Sequence, residues 1–495
     1  MFARHSYRLL CFGISLITLT ACSDQYLALE APDAPLFFTS MTTGIRNEVI
    51  VSHGTNIHLQ LPEGTDLENI HIKFKTNTSK TKVVIGSDTL DKEAFVDLRT
   101  PIEVELLEKS ENHRICYHLS ASAFSELPKI YITTKGKKDI TSDTEFTNAF
   151  FTFDGNGKFT EFKFETAYGE IRGRGNSSWT FPKKPYKIKL DAPTALWTEG
   201  QPYQEWVLLA NCADKSLVRN HIAFEMSKAV GMDYTPQSYF VDLFINGQYQ
   251  GNYQLCDQIQ LEPGRVEGDC LIELDMRQRL PEYTTENYFE SLCYPYKLIS
   301  DDFSINMRDS AQAKIKRAEM SLTNASEEDG FRHYFDEESV IRWFLINELM
   351  KNCDAQSFSS IYYYLPNGSE QWHMGPLWDF DLAAGNRVAE ANGMTDPQGW
   401  YVFNNYYFVC MRNDTVFENR LREVWNENRE ALYSVIEMIP EYQEQISLSA
   451  QENFKRWPIQ GYFFYSDEPE SFTGHGKEIQ QFLQKRFYWM DAQLH

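Results

Sequence analysis

The hydrophobic period of this chain changes once, at Leu127-Pro128, and that change calls for two differently built parts. Before it, apolar residues recur only in short alternating runs: Glu48-Val51, Ile57-Leu61, Ile70-Phe74, Lys82-Ile85, Ile102-Leu107 and Arg114-Leu119. Gly, Pro, Asn and Asp clusters separate them. Alternation with period two buries one face of a strand, so residues 37–125 read as a small antiparallel β-sandwich of immunoglobulin-like type, a spacer. His53, His58 and His71 fall in or beside these strands with no carboxylate or Cys at matching spacing, and read as strand residues rather than metal ligands. After Pro128, strands at Lys129-Thr133 and near Phe150-Phe153 lead into strands interleaved with helical period at Lys215-Val230, Glu338-Lys351, Glu418-Ile439 and Lys477-Leu494. Asp214 reads as the N-cap of the first helix and Gly231 as the residue past its end. Residues 127–495 are thus expected to be α+β with a helical C-terminal part.

The N-terminus carries an export signal. Arg4 and Arg8 precede an apolar run, Leu9 to Leu19, too short to span a bilayer, and Leu19-Thr20-Ala21-Cys22 offers small residues before a thiol. Residues 1–21 read as a lipoprotein signal peptide, Cys22 as the lipid-bearing residue, and 22–36 as a polar tether. Asp24 is the third residue after cleavage, so retention at the inner membrane is not signalled; the expected place is the cell envelope, the outer membrane favoured, facing periplasm or surface. No later segment is apolar enough to be a transmembrane helix. The net charge of −23 opposes nucleic-acid or anionic-membrane binding through phosphate contacts. Of nine cysteines none forms a CxxC pair, which argues against a zinc site.

Two constellations carry chemistry. In Ile171-Arg172-Gly173-Arg174-Gly175-Asn176-Ser177-Ser178-Trp179, two glycines sit among hydrogen-bond donors, and Pro182 to Leu190 follows as a basic strand. On that strand Tyr186, Ile188 and Leu190 share one face and Lys187 and Lys189 the other. Such a loop can cover phosphates while a lysine reaches them from the sheet; a tight hairpin with a solvated basic face reads equally well. The second runs Asn347-Glu348-Leu349-Met350-Lys351-Asn352-Cys353-Asp354, then Gly375-Pro376-Leu377-Trp378-Asp379-Phe380-Asp381. The gap of 379 − 354 = 25 positions holds a hairpin, Ser360-Leu365 and Glu370-Met374. A carboxylate leaving a helix, then a carboxylate pair, is what metal-assisted phosphoryl transfer requires; Asp354 alone also suits a helix-end turn. Asp379 and Asp381 would raise each other's pKa unless a cation lay between them.

Taken together, GRGNSSW, PKKPYKIKLD, WVLLANCADKSLVRNHIAFEM, FVDLFINGQYQGNYQL, INELMKNCD and GPLWDFD, in this order, closely resemble the CotH family of atypical protein kinases, from about Leu127 to the C-terminus. The resemblance implies a kinase-like domain that moves the γ-phosphate of ATP, with Mg²⁺ or Mn²⁺, to Ser or Thr of a protein substrate. It implies that Arg174, Gly175, Asn176 and Ser177 lie in the phosphate-covering loop, that Lys189 or else Lys184 binds the phosphates, and that Glu225 is a partner for that lysine, although Arg219 and Asn220 match the family as well. It makes Asp354 the catalytic acid and Asp379 or Asp381 the metal ligand. Cys256-Asp257 stands where a Thr-Glu pair is expected, so Asp257 falls in the nucleotide-hinge region. Other readings are a surface adhesin or assembly scaffold, or glycan binding by the sandwich or by the aromatic stretches Gly399-Trp400-Tyr401 and Tyr406-Tyr407-Phe408, which are more often core.

Overall fold

The computed structural model describes residues 27–28, 34–45, 48–61, 65–108, 113–123, 127–155, 161–322, 330–463, 465 and 468–495. The expected signal peptide and the expected lipid-bearing Cys22 lie outside the described residues. Two compact units meet at Ser125/Glu126. In the first, one sheet joins Leu27–Ala28, Phe38–Thr42, Ile70–Thr76 and Glu93–Val96, and a second runs in the order Val49–His53, Asn56–Leu61, His113–Ala123, Ile102–Glu108, Lys82–Ile85, Asp88–Leu90. The alternating runs bury Ile57, Leu59, Ile72, Phe74, Leu106 and Leu119 in one core. One pairing departs from the antiparallel expectation: His113–Ala123 runs parallel to Asn56–Leu61. Phe38–Thr42 escaped notice because four of its five residues are buried, Ser40 and Thr42 among them, so apolar alternation is blurred.

The second unit begins with a closed seven-stranded barrel that sequence period did not reveal. Its strands are β1 Lys129–Thr134, β2 Thr147–Asp154, β3 Glu165–Gly173, β4 Tyr186–Thr194, β5 Tyr203–Leu209, β6 Ser238–Ile245 and β7 Gln248–Asp257, with helix α1 Arg219–Ala229 between β5 and β6. The order is β1-β2-β3-β4-β5-β7-β6, and the ring closes where β1 runs parallel to β6, Lys129 opposite Asp242. Closure lets Ile130, Phe151, Ile188, Trp206 and Leu243 fill one interior while leaving no strand edge inside the ring.

Helix α1 starts later than its period suggested. Asn211 and Leu217 adopt left-handed backbone (φ +48° and +63°), which folds residues 211–218 into a loop. Val218 holds the N-cap position without a side-chain bond. Asp214 acts from further out: its carboxylate accepts from the Ser216 and Arg219 N–H groups at 2.9 and 2.8 Å, supplying an acceptor that a helix start lacks. The far end is as expected. Gly231 (φ +68°) donates to Lys228 O and Met232 to Ser227 O, a Schellman closure.

Beyond the barrel, a five-stranded sheet orders β8 Cys270–Leu274, β9 Tyr288–Glu290, β10 Pro295–Leu298, β11 Ile361–Leu365 and β12 His373–Met374 as β9-β10-β8-β11-β12. The helices are α2 Ile305–Ser321, α3 Glu337–Leu349, α4 Tyr406–Met411, α5 Thr415–Glu437, α6 Ile439–Gln445, α7 Ser447–Arg456 and α8 Phe472–Leu494. Asp336, Asp414 and Ser471 cap α3, α5 and α8 through their side chains. Among the described residues no helix is long and apolar enough to cross a membrane. Tyr407 and Phe408 are buried, Trp400 is partly buried edge-on against Phe403 and Trp489, and Tyr406 is exposed, so most of these rings serve the core.

Candidate active site

Helix α3 ends at Leu349 with Met350 at its C-cap, and the chain reverses through Lys351, whose φ is +46°. Asp354 sits in the turn that follows, its N–H donating to Asn352 Oδ1 at 3.2 Å. The β11–β12 hairpin then returns the chain to Asp379. That residue is in the left-handed region (φ +67°), one that Asp tolerates better than most side chains, and its Oδ2 accepts from Ser360 Oγ at 3.1 Å. Asn352 Nδ2 reaches Asp379 O at 3.3 Å and joins the two acid-bearing loops.

Asp381 is held from the barrel side. Asn220 on α1 accepts from the Phe380 N–H at 2.8 Å, Arg219 Nε donates to Ala383 O at 2.8 Å, and Asn386 Nδ2 donates to Asp381 O at 2.7 Å. Arg219 and Asn220 therefore do position the centre, by gripping the loop that carries an acid.

Electrostatics bind the three acids into one group. Burial and then the nearby Asp379 push the Asp354 carboxyl up to about 6, against the pull of the Cys353 thiol and Arg277. Asp381 is driven well above the usual carboxylate range by burial, then by Asp379, Asp354 and Asp214, with Arg219 opposing. Like charges confined together are the cause in both. Arg277, in a two-pronged pair with Asp275 at 2.7 Å on each prong, is the cation that bears on Asp354 and Asp379.

A cationic arm comes from the β3–β4 loop. Gly175 has φ +88°, and a Cβ there would lie 2.1 Å from Ser178 Oγ, so the turn admits only glycine. Asn176 and Ser177 are exposed at the single helical turn that follows. Arg174 places its guanidinium 5.5 Å from the Trp378 ring centre, next to Asp379, and both Arg174 and Asp379 act on Tyr362 of β11. On β4, Tyr186, Ile188 and Leu190 face the barrel core and the lysines face out, in keeping with the alternation. Lys187 makes the close ion pair, 2.6 Å from Glu205 of β5 with its side chain 18% exposed; Lys189 stands 3.9 Å from the same acid and is 47% exposed.

The remaining expected residues lie elsewhere in the bonding pattern. Lys184 donates to Trp179 O at 2.6 Å and lies over that ring, closing its own loop. Glu225 pairs with Lys228 on α1 at 2.7 Å. Asp257 is buried and accepts from Tyr234 OH, the Gln237 N–H and Arg265 at 2.8, 2.9 and 3.4 Å. Its acceptor sites are consumed inside the protein.

The acids suit a hard divalent cation: oxygen donors that repel one another, with no protein hydrogen bond to the Asp381 carboxylate among the described residues. Among those residues no three His, Cys, Asp or Glu side chains form a metal cage by themselves. One or two carboxylates are what Mg²⁺ uses when phosphate oxygens complete its shell.

An α+β protein that sets a carboxylate centre against a barrel-borne cationic arm is the class these features define. The family model described as CotH kinase protein matches residues 171–490, well over half of the chain, and the chain belongs to that family. No curated protein matches it. Among solved structures, a Bacteroides thetaiotaomicron protein described provisionally as a glycoside hydrolase is 14% identical, over 57% of this chain and 88% of that one, with a TM-score of 0.17, too slight a likeness to bear on fold or chemistry.

Proposed function

We propose that the protein is an atypical protein kinase, moving the ATP γ-phosphate to a Ser or Thr hydroxyl of a protein substrate, anchored in the cell envelope through lipid on Cys22. The observation that supports this most is the gathering of Asp354, Asp379 and Asp381 beside Arg174, in a member of the CotH family. Asp354 is poised as the general base, since a group titrating at about 6 can accept the acceptor hydroxyl's proton near neutral pH. Asp379 and Asp381 would hold Mg²⁺ or Mn²⁺, which when bound neutralises charge on the phosphates. Arg174 and Lys187 would bind phosphate oxygens, Glu205 fixing the lysine's direction as the carboxylate of a Lys–Glu pair does in phosphoryl transfer. Arg277 limits the repulsion among the acids while leaving their oxygens available. The β-sandwich ahead of the domain is read as an immunoglobulin-like spacer from the tether.

The test is transfer of labelled phosphate from Mg-ATP by the mature protein, to itself or to a generic Ser/Thr substrate. The account expects activity that falls at least about a thousandfold in Asp354→Asn and in Asp379→Asn, as loss of groups acting in the transition state requires. Absence of transfer, together with ligand binding that is unchanged when Asp354→Asn and Asp379→Asn are combined, would favour the scaffold reading.

A further inference from the structure

A cavity of about 290 Å³ opens between the loop before α1 and the segment that ends α7, with Pro182 and Ile459 also in its lining. Its walls are largely apolar, with Leu217, Phe454 and Trp457 among them, and Lys183 and Cys212 lie at the loop side. Lys183 is 2% exposed. Its Nζ donates to Asn252 O and stands 4.7 Å from the Tyr253 ring centre. An ammonium group carries three donors and the Asn252 carbonyl takes one.

No ion pair to Lys183 occurs among the described residues, and the acids around it serve other groups. Asp214 accepts from Ser216 and Arg219, while Asp242 accepts from Tyr249 OH at 3.1 Å and Ser449 Oγ at 2.6 Å. A cation buried without a counter-ion is costly. The same imbalance shows in the amine itself, which burial brings down to about 7. An anion entering the cavity would supply both the missing charge and the missing acceptors. The Asp214 carboxylate also lines the cavity, and Lys215, the other cation lining it, is paired with Glu468, so a second negative charge on the ligand would find no second cation to meet it. A single negative charge balances Lys183 alone.

We propose that this cavity binds a small organic monocarboxylate, its carboxylate on Lys183 and its aromatic or aliphatic body against Leu217, Phe454 and Trp457. The proposal does not depend on the kinase reading.

Calorimetric titration of the mature protein with benzoate and hexanoate, against benzyl alcohol, hexanol and inorganic phosphate, tests this. At least one carboxylate should bind about tenfold or more tighter than its alcohol, the effect of a single charge-assisted hydrogen bond. Lys183→Met should erase that preference, and Ile459→Trp, which fills the cavity and keeps the lysine, should abolish binding of acid and alcohol alike. Failure of both carboxylates to bind, equal binding of the alcohols, a preference that survives Lys183→Met, or tighter binding of phosphate would each overturn the proposal.

Discussion

Arg486→Met tests how the acid-bearing loops are held up. Arg486 and Glu348 are both wholly buried and paired through guanidinium and carboxylate. Arg486 also donates through Nε to Glu348 O at 2.9 Å and through Nη1 to Pro397 O and Gly399 O at 3.0 and 2.7 Å. Glu348 in turn accepts from the Tyr401 and Phe403 N–H groups at 2.8 and 3.0 Å, and Tyr401 OH reaches Cys353 O at 2.9 Å, one residue before Asp354. The pair therefore ties α8, the end of α3 and the 397–403 loop together beneath the centre. Methionine replaces the volume and removes the charge, leaving a buried carboxylate without its cation. Loss of one partner of a buried pair costs about 3–5 kcal/mol. With an unfolding entropy near 2.1 cal/mol/K per residue, about 0.8 kcal/mol/K for the unit from Glu126 to His495, the melting temperature should fall by about 4–6 °C. Thermal melting at pH 7 followed by circular dichroism measures this. Adding Glu348→Gln to Arg486→Met should recover part of the loss, because the stranded charge is then gone. A fall under about 1 °C in Arg486→Met, or no recovery in the double variant, would refute the reasoning.

Lys187→Met should weaken ATP binding more than Lys189→Met, since Lys187 holds the close pair with Glu205; equal effects would remove that distinction. Asn220→Ala strands the buried Phe380 N–H and should cost about 1–3 kcal/mol in denaturant titration, with a matching loss of divalent-metal affinity; unchanged metal affinity would separate α1 from the Asp381 loop. The Asp354 carboxyl is raised to about 6 on folding, so the folded form holds more protons than the unfolded one and its contribution to stability falls as pH rises from about 4 through about 6, Asp381, raised in the same direction, adding to the fall. Metal-free melting temperatures should show that fall, Asp354→Asn should flatten it, and Mg²⁺ should offset it above pH 6; a wild-type curve superposing on that of Asp354→Asn would contradict the assignment.

Much of the layout was legible where burial is one-sided. The run Lys82-Ile85 in the first unit coincides with its strand, and β4 presents Tyr186, Ile188 and Leu190 inward as period two requires. Barrel closure was not legible, because the parallel contact between β1 and β6 joins residues such as Lys129 and Asp242, which carry no local mark of each other. α2 passed unseen: its face toward the core is narrow, with only Ala311, Ile315 and Ala318 as buried apolar residues. At the site, the acid motifs could be read from their spacing and from the family likeness. The choice between Lys187 and Lys189 could not, since both lie on one face and only the neighbour Glu205 distinguishes them. Arg277 gave no signal, because its part depends on the fold bringing β8 beside the hairpin. Asp257 stood at an expected hinge position, yet Tyr234, Gln237 and Arg265 occupy it.

The most direct test of the central claim is equilibrium binding of ATP to the mature protein with and without Mg²⁺ or Mn²⁺, in wild type and in Asp379→Asn with Asp381→Asn. The account predicts binding that tightens with either metal in wild type and loses that dependence in the double variant. ATP binding indifferent to metal in wild type, or a metal dependence that survives loss of both acids, would contradict it.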